Sequence, residues 1–187
     1  MNKVLAPIHY KMNNKILYLE DLALMLKEQL GIKKIKDMET VNRGSLENII
    51  DFKDIHGWLS RRVDKVEDTF AKILSQSLKE NKVDSLLKLM YQKGFEENFL
   101  GNGREAYLYI EDTFLNGMPC DNSVKAWESN GEIYYKEVKD IHSCYYIYDV
   151  DSQIYYDAKN SWVKGLLKKS NLKLLHDGKV NRIVKHE

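Results

Sequence analysis

Apolar residues recur at three- and four-residue steps along the first thirty positions of the chain. They are Leu5, Ile8, Met12, Ile16, Leu19, Ala23, Leu26 and Leu30. This spacing places them on one face of an α-helix. Pro7 suits the first turn of that helix, because its missing N–H would be unpaired there anyway, and Gly31 suits its end. The pattern therefore predicts a long helix from about Pro7 to Leu30.

Three more helices are predicted before residue 118. The second runs from about Asp51, a suitable N-cap, to about Leu78. Its apolar stripe comprises Phe52, Ile55, Leu59, Val66, Phe70 and Ile73. Asp84 is the predicted N-cap of the third helix, and Asn102 and Glu105 form a capping-box pattern at the start of the fourth. The polar stretch 33–45 is predicted to be a loop.

The pattern changes after Pro119. Short stretches rich in β-branched and aromatic residues predict strands at 124–127, 133–138, 142–150, 172–176 and 179–184, with one helix at 153–169. Asn130-Gly131 and Asp177-Gly178 are signals for tight hairpin turns. We predict an α+β fold, with an antiparallel bundle of about four helices at 1–118 and a small antiparallel sheet with one packed helix at 119–187. The two halves are expected to share one core as a single domain.

The composition adds few constraints. Apolar residues make up 43% of the chain and charged residues 30%, which is ordinary for a globular protein in water. No stretch approaches the roughly 18 apolar residues of a membrane span. The N-terminal stretch is interrupted by His9 and Lys11 and has no secretory cleavage pattern. With only Cys120 and Cys144 available, we expect free thiols, a cytoplasmic location and no membrane partner.

The net charge of +1 is unevenly distributed. Eleven acidic residues and three lysines lie between 105 and 157, whereas seven basic residues and two acidic ones lie from 164 to the end. A basic tail of this kind can contact phosphate groups, but it is more often a solvated face. Because the chain has no long basic run, we do not expect a nucleic-acid partner.

One sequence pattern, a histidine followed at a fixed distance by a glutamate, occurs twice. Ten residues separate Ile8-His9 from Glu20-Asp21, and ten separate Ile55-His56 from Glu67-Asp68. Within one helix, the His and the Glu are about 16 Å apart, too far to share a metal or a proton. If the two long helices pack antiparallel, however, His9 comes near Glu67 and His56 comes near Glu20.

This arrangement has two interpretations. Imidazole and carboxylate groups form zinc, iron and manganese sites between facing helices, so His9, His56, Glu20 and Glu67 are candidate ligands of a divalent transition metal or of a small molecule. Alternatively, each His donates to a Glu beside the apolar seam and fixes the helix register. The Glu-x-x-His pattern of di-iron bundles is absent from the chain.

A second candidate site involves a thiol. His142 and Cys144 are separated by one residue on a predicted strand, so their side chains would face the same way. An imidazole beside a cysteine stabilises the reactive thiolate, which makes Cys144 a candidate nucleophile and His142 a candidate base. The alternative is a small cysteine buried in a sheet.

The predicted sheet region is dense in aromatic residues. They are Trp127, Tyr134, Tyr135, Tyr145, Tyr146, Tyr148, Tyr155, Tyr156 and Trp162. Tyrosine combines an apolar ring with a hydroxyl, which suits the wall of a ligand pocket, and Tyr146 is the candidate contact. The same residues suit a protein interface, and about half of the rings are expected in the core.

Three functional hypotheses follow. The first is a protein that binds a small molecule, with or without a metal, between the helical half and the aromatic sheet. The second is a thiol-dependent enzyme that uses Cys144 and His142 on a small substrate. The third is an interface module that forms a homo-oligomer or binds a partner without chemistry. Glycine-rich phosphate loops, nucleophile elbows, Cys-x-x-Cys and His-Glu-x-x-His motifs are absent, which argues against those enzyme classes.

Overall fold

A computed structural model describes residues 4–33, 35–146 and 150–186. In these ranges the helices are α1 (Pro7–Gln29), α2 (Leu46–Ile49), α3 (Ile55–Lys79), α4 (Val83–Glu96), α5 (Gly103–Thr113) and α6 (Gln153–Leu167). The strands are β1 (Val124–Ser129), β2 (Glu132–Glu137), β3 (Leu172–His176) and β4 (Asn181–Lys185). The predicted α+β class, with helices first and a small antiparallel sheet afterwards, is confirmed.

Local capping chemistry explains where several helices begin. Asn102 accepts the Glu105 backbone N–H at 3.1 Å and Glu105 accepts that of Asn102 at 2.8 Å, so the predicted capping box of α5 is confirmed. Helix α3 begins three residues later than predicted, because Asp54 rather than Asp51 caps it through the Gly57 N–H at 3.0 Å. The short helix α2, within the connection before α3, was not predicted.

The sheet has the strand order β1-β2-β4-β3, and every neighbouring pair is antiparallel. Asn130 and Gly131 both adopt positive φ, 52° and 75°, as the predicted two-residue turn requires. Gly178 has φ 87° in the second hairpin, which joins β3 to β4. The turn at Asn130-Gly131 is therefore confirmed. The second hairpin is also present, but its loop comprises residues 177–180 rather than Asp177-Gly178 alone.

The predicted antiparallel packing of the two long helices is wrong. Near their N-termini the rings of His9 and His56 lie 6.3 Å apart, and further along Arg62 donates to the Asn13 side chain at 3.1 Å. Helices α1 and α3 therefore run in the same direction. A connection of more than twenty residues between them allows the chain to return to the starting end before α3 begins.

The predicted strand at 142–150 is also wrong over its described part. Residues 143–145 form one turn of 3-10 helix, and 147–149 lie outside the described residues. The cause is local: Asp140 Oδ1 accepts the backbone N–H groups of both His142 and Ser143 at 3.1 Å. An acidic side chain that pairs with the backbone two and three residues ahead favours a turn over the extended conformation that the aromatic residues prefer.

Helices α4 and α6 cross with their backbones in contact at two glycines. A Cβ atom on Gly94 would overlap the carbonyl oxygen of Trp162, and one on Gly165 would overlap that of Tyr91. The contact is nearly symmetric, because each glycine meets the carbonyl three positions before the other. The Ser161 hydroxyl also donates to the Leu87 carbonyl at 2.7 Å, which shows that these helices run in the same direction.

One buried cluster joins the two predicted halves. It includes Leu19 of α1, Phe70 of α3, Ile133 of β2 and Trp162 of α6, each at most 6% exposed. The division of the chain at 118 and 119 stays a prediction. Among the residues placed by the structure, no helix is both long enough and apolar enough to cross a membrane.

A tyrosine network links the helices around Trp162. The indole donates to the Tyr18 hydroxyl at 2.9 Å, and Glu97 accepts the hydroxyls of Tyr18 at 2.9 Å and Tyr109 at 2.7 Å. Burial and the Glu97 hydrogen bond raise the pKa of Tyr109 to about 12, and burial and the Glu97 charge raise that of Tyr18 further. These hydroxyls therefore keep their protons in the folded state at pH values where unfolded tyrosine loses its proton.

This network predicts alkaline destabilisation. Because the raised pKa values belong to the folded state, the stability that they contribute is present below about pH 10 and is lost as the pH rises towards 12. Urea unfolding at pH 8 and at pH 10.5 should show a lower free energy of unfolding at the higher pH. The variant carrying both Tyr18→Phe and Tyr109→Phe should show a smaller decrease. An equal decrease in the two proteins would exclude these tyrosines as the cause.

Candidate functional site

The most deeply buried ionisable pair in the described chain joins Glu67 to His142. Helix α3 supplies Glu67, which is 3% exposed, and the turn after β2 supplies His142, which is 1% exposed. His142 Nδ1 lies 3.2 Å from Glu67 Oε2, within hydrogen-bond distance. Two residues predicted to belong to different sites are thus brought together, across 75 positions of sequence.

The imidazole is held on several sides. Its ring stacks on Tyr155 with the centroids 3.6 Å apart, and the Tyr156 ring meets it edge-on at 5.9 Å. Asp140 holds the His142 backbone and also accepts the Tyr156 hydroxyl at 2.9 Å. Burial raises the pKa of Asp140, but its hydrogen bonds outweigh burial and lower it overall. The acceptor that forms this turn is therefore ionised at neutral pH.

One side of the Glu67 carboxylate is unpaired. Its Oε1 atom is buried and has no hydrogen-bond partner among the described residues, and the same is true of the Tyr146 hydroxyl. Glu67 and His142 both line a cavity of about 160 Å³. A buried acceptor without a partner carries a desolvation cost of about 1–3 kcal/mol, so it calls for a functional or a solvent explanation.

Acidic groups surround this cavity. Asp64 and Asp121 line it together with Glu67, and they accept the Tyr145 hydroxyl and the Met118 backbone N–H, each at 2.7 Å. Burial, the Asp64 hydrogen bond and the charges of Asp64 and Glu67 raise the pKa of Tyr145. Burial and the Glu67 charge raise that of Tyr146. The site is therefore electronegative and favours a cation over an anion.

Three of the predicted site residues lie elsewhere. Glu20 accepts the Val41 backbone N–H and pairs with Arg43 at 2.5 Å, so it anchors the loop before α2. His9 Nδ1 accepts the Ala6 N–H at 3.1 Å at the start of its own helix, and exposed His56 lies beside it. The His9–Glu67 and His56–Glu20 pairs do not exist. Because α1 and α3 run in the same direction, the N-terminal end of one helix lies beside the N-terminal end of the other.

The predicted metal centre is not assembled from its four proposed ligands. His9 and His56 are neighbours, but Glu20 and Glu67 are bound to other groups. Throughout the described ranges no three side chains of His, Cys, Asp or Glu are grouped so that they could hold a metal ion.

The predicted partnership of Cys144 with His142 is wrong in its geometry. Because the segment is a turn rather than a strand, Cys144 is exposed while the His142 ring is directed to Glu67 and Tyr155. Partial burial raises the pKa of the Cys144 thiol, and the charges of Glu67 and Asp64 act in the same direction. This environment disfavours the thiolate that a nucleophilic cysteine needs.

The thiol is therefore expected to react slowly. In a Cys120→Ser background, alkylation of Cys144 by iodoacetamide should follow a pKa above the roughly 8.5 of free cysteine. The shift arises because partial burial and the nearby negative charges oppose ionisation of the thiol. The rate is measured from pH 6 to 10 by mass spectrometry, with Cys120 in a Cys144→Ser background as the comparison. A labelling pKa near 7 for Cys144 would revive the thiol hypothesis.

Sequence reasoning missed two of the acidic residues of the site. Asp64 lies between Ser60 and Glu67 with spacings of four and three residues, and all three line the cavity on one face of α3. This helical spacing was a detectable signal. Asp121 lies in the loop after α5, for which the sequence gives no comparable pattern.

The aromatic residues are distributed among the core, the outer face of the sheet and the surroundings of His142. Tyr135, Tyr155 and Trp162 are at most 1% exposed. On the outer face, Trp127 stacks on Tyr134 with the centroids 5.4 Å apart. Tryptophan and tyrosine are enriched in protein interfaces, and the homo-oligomer hypothesis stays a prediction. Tyr148 lies outside the described residues.

Comparison with known proteins identified no relative of this chain. No protein-family model, no curated protein and no solved structure matches this chain. The functional interpretation therefore depends on the geometry of the Glu67–His142 cavity alone.

Proposed function

We propose that this protein binds a small organic cation, a primary ammonium compound, in the cavity lined by Glu67 and His142. The observation that carries this proposal is the unpaired Oε1 atom of Glu67. An ammonium group would give that atom a charge-assisted hydrogen bond and would compensate its desolvation. The acidic lining residues Asp64 and Asp121 favour the same charge.

The hydrogen-bonding polarity of the pair also supports a donor ligand. A carboxylate only accepts hydrogen bonds, so Nδ1 of His142 carries the proton that it shares with Glu67. In the neutral imidazole the other nitrogen, Nε2, then accepts. The unpaired Oε1 atom of Glu67 and the Nε2 atom of a neutral His142 are therefore both acceptors. An ammonium group has three donors and no acceptor, which makes it complementary to this arrangement.

The cavity size limits the ligand. Pockets for drug-sized molecules typically span about 300–1,000 Å³. At about 160 Å³ this cavity is smaller, and it suits a ligand of only a few heavy atoms or the ammonium end of a longer molecule. The role of the protein in this proposal is the recognition of a small amine, and no covalent step is required.

Titration with propylammonium tests the proposal. Calorimetry at pH 8 and constant ionic strength should give saturable binding with a Kd on the order of 1 mM, as expected for a ligand with so few atoms. Propionate, of similar size but opposite charge, should not bind at this site. Glu67→Gln keeps an oxygen for His142 but removes the charge, and it should weaken binding at least tenfold.

The matched control is Asp68→Asn. Asp68 is the next residue on α3, half-exposed and paired with Lys72, and its substitution makes the same change in net charge. It should leave the propylammonium Kd within about twofold of the wild type. Equal affinity in the wild type and Glu67→Gln would contradict the proposal, and so would the absence of saturation up to roughly 50 mM propylammonium.

A further inference from the structure

A second cavity, of about 260 Å³, lies between α1, α5 and the loop after α5. We propose that it binds a small organic carboxylate, whose charged end meets the Lys15 ammonium. Lys15 is only 8% exposed and lines this cavity. The inference does not depend on the Glu67–His142 cavity, because a different buried group carries it.

The Lys15 ammonium has no ion-pair or hydrogen-bond partner in the portion of the chain that the structure describes. Burial is the largest influence on its pKa and lowers it, and Glu111 opposes this effect only through its charge at a distance. Lys159, the other deeply buried lysine among the described residues, contrasts with it. That ammonium contacts Glu137 at 3.1 Å and Asn116 at 3.2 Å. The Lys15 side chain is therefore largely buried, and its ammonium has no partner among the described residues.

Of the described charged residues that line the cavity, Lys15 is the one whose charged group has no direct partner. Lys11 also lines it, but the Lys11 ammonium forms an ion pair with Asp112. Glu111 lines it as well, and its carboxylate accepts the Asn116 side-chain amide at 2.6 Å. A carboxylate would give the Lys15 ammonium a direct ion-pair partner, whereas a doubly charged phosphate would face Glu111 with too few free donors.

Apolar side chains line one part of the cavity, and Asn116, Asn122 and Ser123 line another. Met12, Met118, Pro119 and Val124 contribute to its walls beside the two lysines. Methionine adapts its shape to different apolar groups, so these walls suit a short hydrocarbon chain attached to the carboxylate. The ligand class is therefore a short aliphatic acid rather than an inorganic anion.

Titration with sodium butyrate tests the inference. At pH 7 and constant ionic strength, calorimetry should show saturable binding in the millimolar range, and the Lys15 ε-methylene signals in ¹H–¹³C NMR spectra should shift with the same Kd. Lys15→Met should weaken binding at least tenfold. Lys11→Met, which changes a lysine of the same cavity that already has a partner, should stay within about twofold of the wild type.

Further measurements make the result decisive. Lys15→Met should fold, because it removes a charge from a largely buried side chain, and circular dichroism tests whether it does. If Lys15→Met does not fold, Lys15→Gln is used in its place. Glu67→Gln should bind butyrate like the wild type, so this inference and the proposed amine site fail separately. Unchanged butyrate affinity in Lys15→Met would overturn the inference. Tighter binding of inorganic phosphate than of butyrate, or no saturation with butyrate, would also overturn it.

Discussion

Gly94→Ala and Gly165→Ala should each lower the free energy of unfolding by at least about 3 kcal/mol. The added methyl group would overlap a backbone carbonyl of the opposing helix, that of Trp162 or of Tyr91. Backbone atoms cannot rotate away as a side chain can, so α4 and α6 would have to separate. Because Trp162 is fully buried next to this crossing, separation would also loosen the core.

Gly103→Ala is the matched control for this effect. It also places alanine in a helix, but its Cβ would lie 3.4 Å from Ile133 Cγ1, which is ordinary contact. Its free energy of unfolding should stay within about 0.5 kcal/mol of the wild type. Urea unfolding followed by circular dichroism measures all three variants. A loss below about 1 kcal/mol for both Gly94→Ala and Gly165→Ala would show that the helices do not cross at these residues.

His142→Leu should destabilise the protein by about 3–5 kcal/mol at neutral pH. Leucine keeps an apolar contact with Tyr155, but it leaves Glu67 buried without a hydrogen-bond partner among the described residues. Removing the hydrogen-bond partner of a buried carboxylate is costly because the desolvation of the carboxylate is no longer compensated.

The double variant Glu67→Met/His142→Leu separates this cause from simple loss of packing. With both polar groups removed, the stability should return to within about 1–2 kcal/mol of the wild type. A double-mutant cycle from urea unfolding gives the coupling free energy of the pair. Additive losses, with no coupling between the two positions, would mean that the imidazole does not stabilise Glu67.

Local patterns predicted most of the elements but not how the two long helices pack. The stripe of α1, the capping box at Asn102 and the turn at Asn130-Gly131 depend on nearby residues, and the structure confirms them. The direction of α3 relative to α1 depends on the long connection between them. An apolar stripe has the same spacing in either direction, so this alignment could not be read from the pattern.

The candidate site was predicted in part because its residues come from distant segments. Glu67, His142 and Tyr146 were all singled out as functional candidates, but Glu67 was assigned a partner in α1 and His142 was assigned Cys144. The real pair spans 75 positions and depends on a turn formed by Asp140, whose local effect outweighs the strand preference of the aromatic residues. Side-chain propensity alone could not predict that outcome.

The most direct test of the proposed amine site is the protonation of the His142 ring. ¹⁵N NMR of histidine-labelled protein at pH 8, assigned with His142→Leu, distinguishes the two ring nitrogens. We predict a proton on Nδ1 and none on Nε2, with the Nε2 signal shifting as propylammonium saturates the site. A proton on Nε2 in the neutral ring, or ring signals that do not change with propylammonium, would contradict the account.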